Sequence, residues 1–348
     1  MVGWLDRLQR RNRPVGVAIA VIYKYLDDQG GYLSALITYY GFVSLFPLLL
    51  LLTTGLGVVL SGRPDLQEQV LHSTLSQFPV IGTQLHQPQG LSGGTVAVVV
   101  GVLGALYGGL GVGQAVQNAM DSVWAVPRDK RPNLIRSRLR SLLLLLVLGS
   151  AAITATVLSA VGQATGTLGV FGKLCVILAT VGINWLICLV ALRVTTARAL
   201  TYREVWPGAL AAAIIWQVLQ WFGAGYIRHT VKTASATNSV FALVLGLLAF
   251  LFLVSSTLVL CAEINVVLVE RLYPRALLTP FTDAAELTPA DRKTYTKKVK
   301  AERVKGFQRV SVRFRKLSTK DTPAASPSSA TDEPANGHPG PSAAATRR

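Results

Sequence analysis

Glu263 is the only acid well inside a long apolar run of this chain, within LVLCAEINVVL, and Asn265 follows it two residues on. A carboxylate so placed can take up a proton, hold a cation or anchor a polar group of a substrate. Gln114, Gln117, Asn118 and Asp121 recur at intervals of three and four, so one helix presents all of them on one face. Tyr39, Tyr40 and Ser44 lie at a similar depth in another apolar run. Left unpaired in hydrocarbon, each such group would cost on the order of several kcal/mol. Two expectations follow. Tyr39, Ser44, Gln117, Asn118, Asp121, Glu263 and Asn265 line a hydrated cavity, or they hydrogen-bond the helices together and end them at the membrane surface.

Other chemistry finds little footing. The histidines are His72, His86, His229 and His338, none at metal-ligand spacing, and the three cysteines, Cys175, Cys188 and Cys261, fall in apolar runs as small hydrophobes. No nucleophile elbow or phosphate-binding loop is present, so no enzyme activity, metal or cofactor is expected. The glycine-rich GVLGALYGGLGVGQAV lacks the G-x-G-x-x-G/A ending of a dinucleotide loop. Its Gly104 and Gly108, with Gly109 and Gly113, place small residues four apart, which predicts close approach of a neighbouring helix. That neighbour is another helix of the same chain or, in a homo-oligomer, of a second copy.

The elements that must position these residues follow from composition. The 348 residues are 51% hydrophobic and only 15% charged, against about 25% charged for soluble domains. A spanning helix needs about 20 mostly apolar residues. Six stretches meet this: Ser34 to Ser61, Thr95 to Asn118, Ser141 to Thr165, Gly172 to Leu192, Val205 to Tyr226 and Val240 to Leu268. Pro47 predicts a kink in the first. The fold class is therefore an all-α, polytopic six-transmembrane-helix bundle.

Orientation follows from lysine and arginine. Of the 34 basic residues, only Arg63, Lys173, Arg228 and Lys232 fall on one side of a six-span arrangement, which puts both termini in the cytosol. The formal net charge of +17 is thus a membrane signature and not a nucleic-acid one. No cleavable leader is read at the N-terminus, so the first span acts as the insertion signal.

Residues 1–33 form a cytosolic segment with an interfacial helix, Pro14 to Asp28, whose apolar side carries Val15, Ala18, Ile19, Ile22, Tyr25 and Leu26. Residues 34–268 form the membrane domain, and Pro64 to Phe78 reads as an amphipathic cap on its outer face. Residues 269–317 are a basic cytosolic segment, in which Thr288, Pro289 and Asp291 predict a helix start. The helix they open is positioned to rest on anionic lipid. Residues 318–348, rich in Pro, Ser and Ala, are expected to be disordered.

Three segments in combination resemble the YihY/BrkB family of bacterial inner-membrane proteins. They are ALITYYGFVSLFPLLLLL, with its aromatic pair ahead of Ser44, Phe46 and Pro47; YREVWPGALAAA, from Tyr202 to Ala213; and LVLCAEINVVL, in which Ala262, Glu263 and Asn265 match the family's ending. Cys261 stands where the family usually has Gly. The resemblance runs from about Val15 to Arg275 and implies a six-span protein of the cell membrane. An older ribonuclease BN label for such proteins would require metal-binding histidines that this chain does not supply.

The leading functional expectation is transport of a lipid or other amphiphile through the polar cavity. The alternative is a non-transporting membrane scaffold whose basic tail docks a partner or anionic lipid. Membrane lipids are the expected partners in either case, and nucleic acid is not.

Overall fold

The computed structural model describes residues 2–59, 95–164, 169–230, 236–279 and 286–314, and among them the regular structure is helical throughout. Two short helices open the chain, α1 (Val2–Arg11) and α2 (Arg13–Asp27). Long helices follow: α3 (Gly30–Val59), α4 (Thr95–Val123), α5 (Leu134–Ala164), α6 (Gly169–Thr195), α7 (Tyr202–Thr230) and α8 (Ala236–Glu270). A last helix, α9, covers Pro289–Ala301. The Pro64 to Phe78 segment and the tail from Ser318 lie outside the described residues.

Each long helix packs on the next in sequence, and α8 returns to pack on α3, so the set closes into a ring. The most extensive of these contacts joins α3 to α4, and α4 also touches α6 and α8. The glycines of α4 make the close approach of its neighbours workable. A methyl group on Gly104 would lie 2.7 Å from Pro47 Cγ, and one on Gly108 would lie 2.6 Å from Ser44 Cα, so these two admit the backbone of α3. On another side of α4, Gly109 meets Leu145 and Gly113 meets Ser141, both of α5. Both stripes are thus occupied within the chain.

Large apolar side chains on the outside of the ring are exposed, among them Leu103, Tyr107, Leu142, Leu146, Leu178, Leu186, Leu245 and Leu253. Surface of this kind needs hydrocarbon around it. Among the described residues, three stretches are long and apolar enough to cross a membrane: Val99–Val123, Ile177–Thr195 and Val244–Glu270.

Several helix ends at the charged end of the ring are built without glycine. Gln29, Ala125 and Arg271, just past α2, α4 and α8, have φ of 56°, 49° and 54°. The turn after α4 is closed by Val126 N donating to Asp121 O, and the turn after α8 by Leu272 N donating to Val267 O. Both are the wide closing bonds that left-handed helix caps use. At α9 the predicted start is present in full: Asp291 N donates to Thr288 Oγ1, and Thr288 N donates to Asp291 Oδ2 at 3.0 Å.

The apolar side of α2, expected to lie on the membrane interface, is left partly uncovered by the protein. Ala18, Ile22 and Leu26 are exposed, while Gly16, Ala20, Val21 and Lys24 are buried, and the helix packs against α8. It therefore has one face for the protein and another for an apolar surrounding.

Candidate functional site

The charged end of the ring gathers α2, the C-termini of α4 and α8, the connection after α8, and α9. Its centre is Lys24, reached by three acceptors: Asp28 on the next turn of α2, Glu263 Oε2 at 3.2 Å, and the Val123 carbonyl at 3.0 Å. Val123 ends α4, so its carbonyl has no partner in its own helix, and a cation there also meets the negative end of the helix dipole. Glu263 is completely buried. Neither of its oxygens completes a well-angled hydrogen bond among the described residues, so its contact with Lys24 is ionic. Burial works against the charge on Lys24, but Glu263 and Asp28 outweigh it and push its pKa up to about 12. Lys298 of α9 stands 3.6 Å from the other oxygen of Asp28.

A second buried cation lies beside the first. Arg275 is fully buried and pairs with Asp27 of α2 and with the equally buried Asp291 of α9, while its Nη1 donates to Thr294 Oγ1 at 3.2 Å. Its carbonyl accepts from Gln9 Nε2 of α1 at 2.8 Å. Burial lowers its pKa, but Asp27 and Asp291 raise it by more, so the guanidinium stays charged. Burial in turn holds Asp27 above its ordinary value in spite of Arg275.

Further pairs complete a cap. Glu270, at the C-terminus of α8, meets Lys293, Lys297 and Arg198, and cations at that helix end also oppose its dipole. Arg303 holds Asp129 through two contacts, the shorter at 2.7 Å, which ties the α4–α5 connection to the chain after α9.

The polar residues anticipated from sequence are distributed among separate partners. Gln117 Nε2 donates to Ser141 Oγ at 2.9 Å and to Ser137 O at 3.0 Å, joining α4 to α5. Asn118 is exposed and accepts from Arg131 at 2.9 Å. Asp121 accepts from Ala197 N at 2.8 Å, fixing the α6–α7 connection to α4. Asn265 accepts from Gly208 N at 2.6 Å, where a methyl group on Gly208 would lie 2.1 Å from Cys261 O. Ser44 donates to Gly41 O within α3. Tyr39 is exposed and stands edge-on to Tyr40, with centroids 5.3 Å apart.

None of these seven residues lines the open cleft that lies on the neighbouring helices. That cleft, of about 430 Å³, opens between α5 and α6 against the α6–α7 connection. Arg140, Arg193, Arg198 and Thr196 supply its polar wall, and Leu143, Val190, Val194 and Leu200 its apolar one. Arg193 stacks over the Tyr202 ring at 4.1 Å, and Arg198 lies over Trp124 at 5.1 Å.

Sequence reading passed over Lys24, Arg275 and the cleft arginines. Lys24 offered one signal, as a cation in the apolar stretch between Arg13 and Asp27. The arginines were counted only as loop charge, which is how the positive-inside rule treats them.

The order of the long helices and the placement of the Tyr202–Ala213 and Glu263–Asn265 segments accompany a direct family match: the model of the virulence factor BrkB family covers residues 21–284. The chain belongs to that family. The BrkB match begins within α2 and ends beyond Arg275, so it takes in Lys24, Asp28 and Glu263 and stops short of α9. Membership and the exposed apolar helices together make this an integral membrane protein. No curated protein and no solved structure matches the chain.

Proposed function

We propose that this BrkB-family protein crosses the cell membrane six times, through α3 to α8, with both termini in the cytosol, and that it binds and moves a lipid or another amphiphile. The loop charge asymmetry supports the orientation, since it assigns the Lys24, Arg275 and cleft residues to the cytosolic side. On this reading residues 1–33 and 269–317 belong to the cytosol, the charged end is a cytosolic cap, and the chain performs no catalysis.

The observation that carries the amphiphile reading is the cleft between α5 and α6. Its volume falls in the range of small-molecule sites, about 300–1,000 Å³, and it joins a cationic wall to an apolar one. A headgroup and the start of an acyl chain require that pairing. Vesicles containing the purified protein should pass a fluorescent phospholipid between leaflets faster than protein-free vesicles, as read by a membrane-impermeant quencher. Filling the cleft by Ala199→Trp should slow this exchange. Equal rates with and without protein would overturn the transport reading. Thiol labelling of single cysteines in the Pro64 to Gly94 connection tests the topology, and labelling from the cytosolic side would refute it.

A second reading, a scaffold that docks anionic lipid, has its own support. Arg292, Lys300, Lys305, Arg309 and Arg313 are exposed around and after α9, and Phe307 is 90% exposed beside them. Because Arg275 and Glu270 bind α9 to the body, deleting this segment would unseat more than the tail. Neutralising the five exposed cations separates the readings, since a scaffold loses its lipid contact and a transporter keeps its exchange rate.

A further inference from the structure

The cleft is more specific than an opening for any amphiphile. Its lining holds three arginines and no acid. Of the nearby acids, Glu204 and Glu270 pair with Arg198 at 3.3 Å and 3.6 Å, which compensates that one arginine, and Asp121, within electrostatic reach of Arg140, accepts from Ala197 N. Arg140 makes no ion pair within 4 Å among the described residues, and its Nη1 is buried without a hydrogen-bond partner there. Arg193 is exposed, stacks on the Tyr202 ring and makes no ion pair among the described residues. The buried Nη1 of the half-buried Arg140 calls for an acceptor, and guanidinium groups match phosphate through paired N–H donors.

The surroundings say what the phosphate is attached to. Leu143 and Val190 line the cleft, and one turn deeper on the same two helices Leu146 and Leu186 are exposed. An anion seated on the arginines would therefore leave its substituents against an apolar strip running along α5 and α6 into the hydrocarbon. Soluble phosphates make no use of such a strip, whereas acyl chains do.

We infer that Arg140 and Arg193, with Arg198 at the rim, form a headgroup site for an anionic phospholipid of the cytosolic leaflet, with its chains lying along Leu143, Leu146, Val190 and Leu186. This inference rests on the amphiphile reading of the same cleft and narrows it to phosphate-bearing lipids.

The test uses the full chain in nanodiscs of phosphatidylcholine, with and without phosphatidylglycerol, and counts retained lipid by native mass spectrometry after transfer to detergent. The wild type should retain phosphatidylglycerol in preference to phosphatidylcholine. Arg140→Gln and Arg193→Gln should each weaken that preference about tenfold, which is about 1.4 kcal/mol. Arg136→Gln, on an exposed position of the same helix outside the cleft, should leave it unchanged. Arg140→Lys keeps the charge without the fork and should restore only part of the preference.

Absence of any preference in the wild type overturns the site, as does an equal loss on Arg136→Gln. Displacement of phosphatidylglycerol by inorganic phosphate at comparable concentration would show a free-phosphate site and overturn the lipid assignment. Selective retention without leaflet exchange would refute transport and leave the site standing.

Discussion

Replacing Lys24 by Met isolates the central charge cluster. The methionine keeps most of the side-chain volume and removes the cation facing Glu263, Asp28 and the Val123 carbonyl. Asp28 retains Lys298 at 3.6 Å, but Glu263 is fully buried and loses its cation. Breaking a buried ion pair from one side costs about 3–5 kcal/mol, because the remaining charge is left uncompensated. Against a typical total stability of about 5–15 kcal/mol, that is a large fraction.

Chemical unfolding in mild detergent, followed by circular dichroism, measures the loss. Glu263→Gln alone should cost less, since Lys24 keeps Asp28 and the carbonyl, and adding it to Lys24→Met should recover at least half of the deficit. The pH dependence has a defined sign. Lys24 is held above its ordinary 10.5, so its contribution is fully present below that value and is lost as pH rises through about 12. The stability difference between parent and Lys24→Met should therefore shrink across that alkaline window. A single variant within about 1 kcal/mol of the parent, well short of the buried-pair cost, would refute the idea that this cation stabilises the end of the bundle.

Arg275→Met should expose α9 to proteolysis while the long helices stay folded, because it leaves the buried Asp291 without a cation at a cost of about 3–5 kcal/mol. Limited digestion, read by mass spectrometry, reports this directly. Gly108→Ala should destabilise by about 1–3 kcal/mol, since the added methyl meets the backbone of Ser44 at 2.6 Å. Gly149→Ala, with nothing within 4 Å, should be neutral or stabilise its helix by about 0.5–1 kcal/mol; thermal melts of the pair provide the comparison. Ala125→Gly should stabilise by about 1 kcal/mol in the same melts, because Ala125 holds a φ of 49° that glycine adopts without strain.

Features carried by local order were legible in the sequence. Hydropathy over about 20 residues located the long helices. The Thr288, Pro289 and Asp291 spacing announced the start of α9, because a capping box is made by residues three apart. The four-residue glycine spacing in α4 announced close helix contact, for the same geometric reason. The family followed from short segments whose residue order is itself the signal.

What only the tertiary structure decided is which polar group meets which. A shared face at intervals of three and four brought Gln117, Asn118 and Asp121 together on α4, yet each addresses a different neighbour, since successive turns of one helix face meet different segments. Glu263 stood out in the sequence as an isolated acid, but its partner Lys24 comes from the opposite end of the chain, and no periodicity links the two. The same holds for Arg275 with Asp27 and for the three arginines of the cleft, which gather from α5, α6 and the following connection. Charge pairing in a buried site depends on distances of a few ångströms in space. Only the closing of the ring sets those distances.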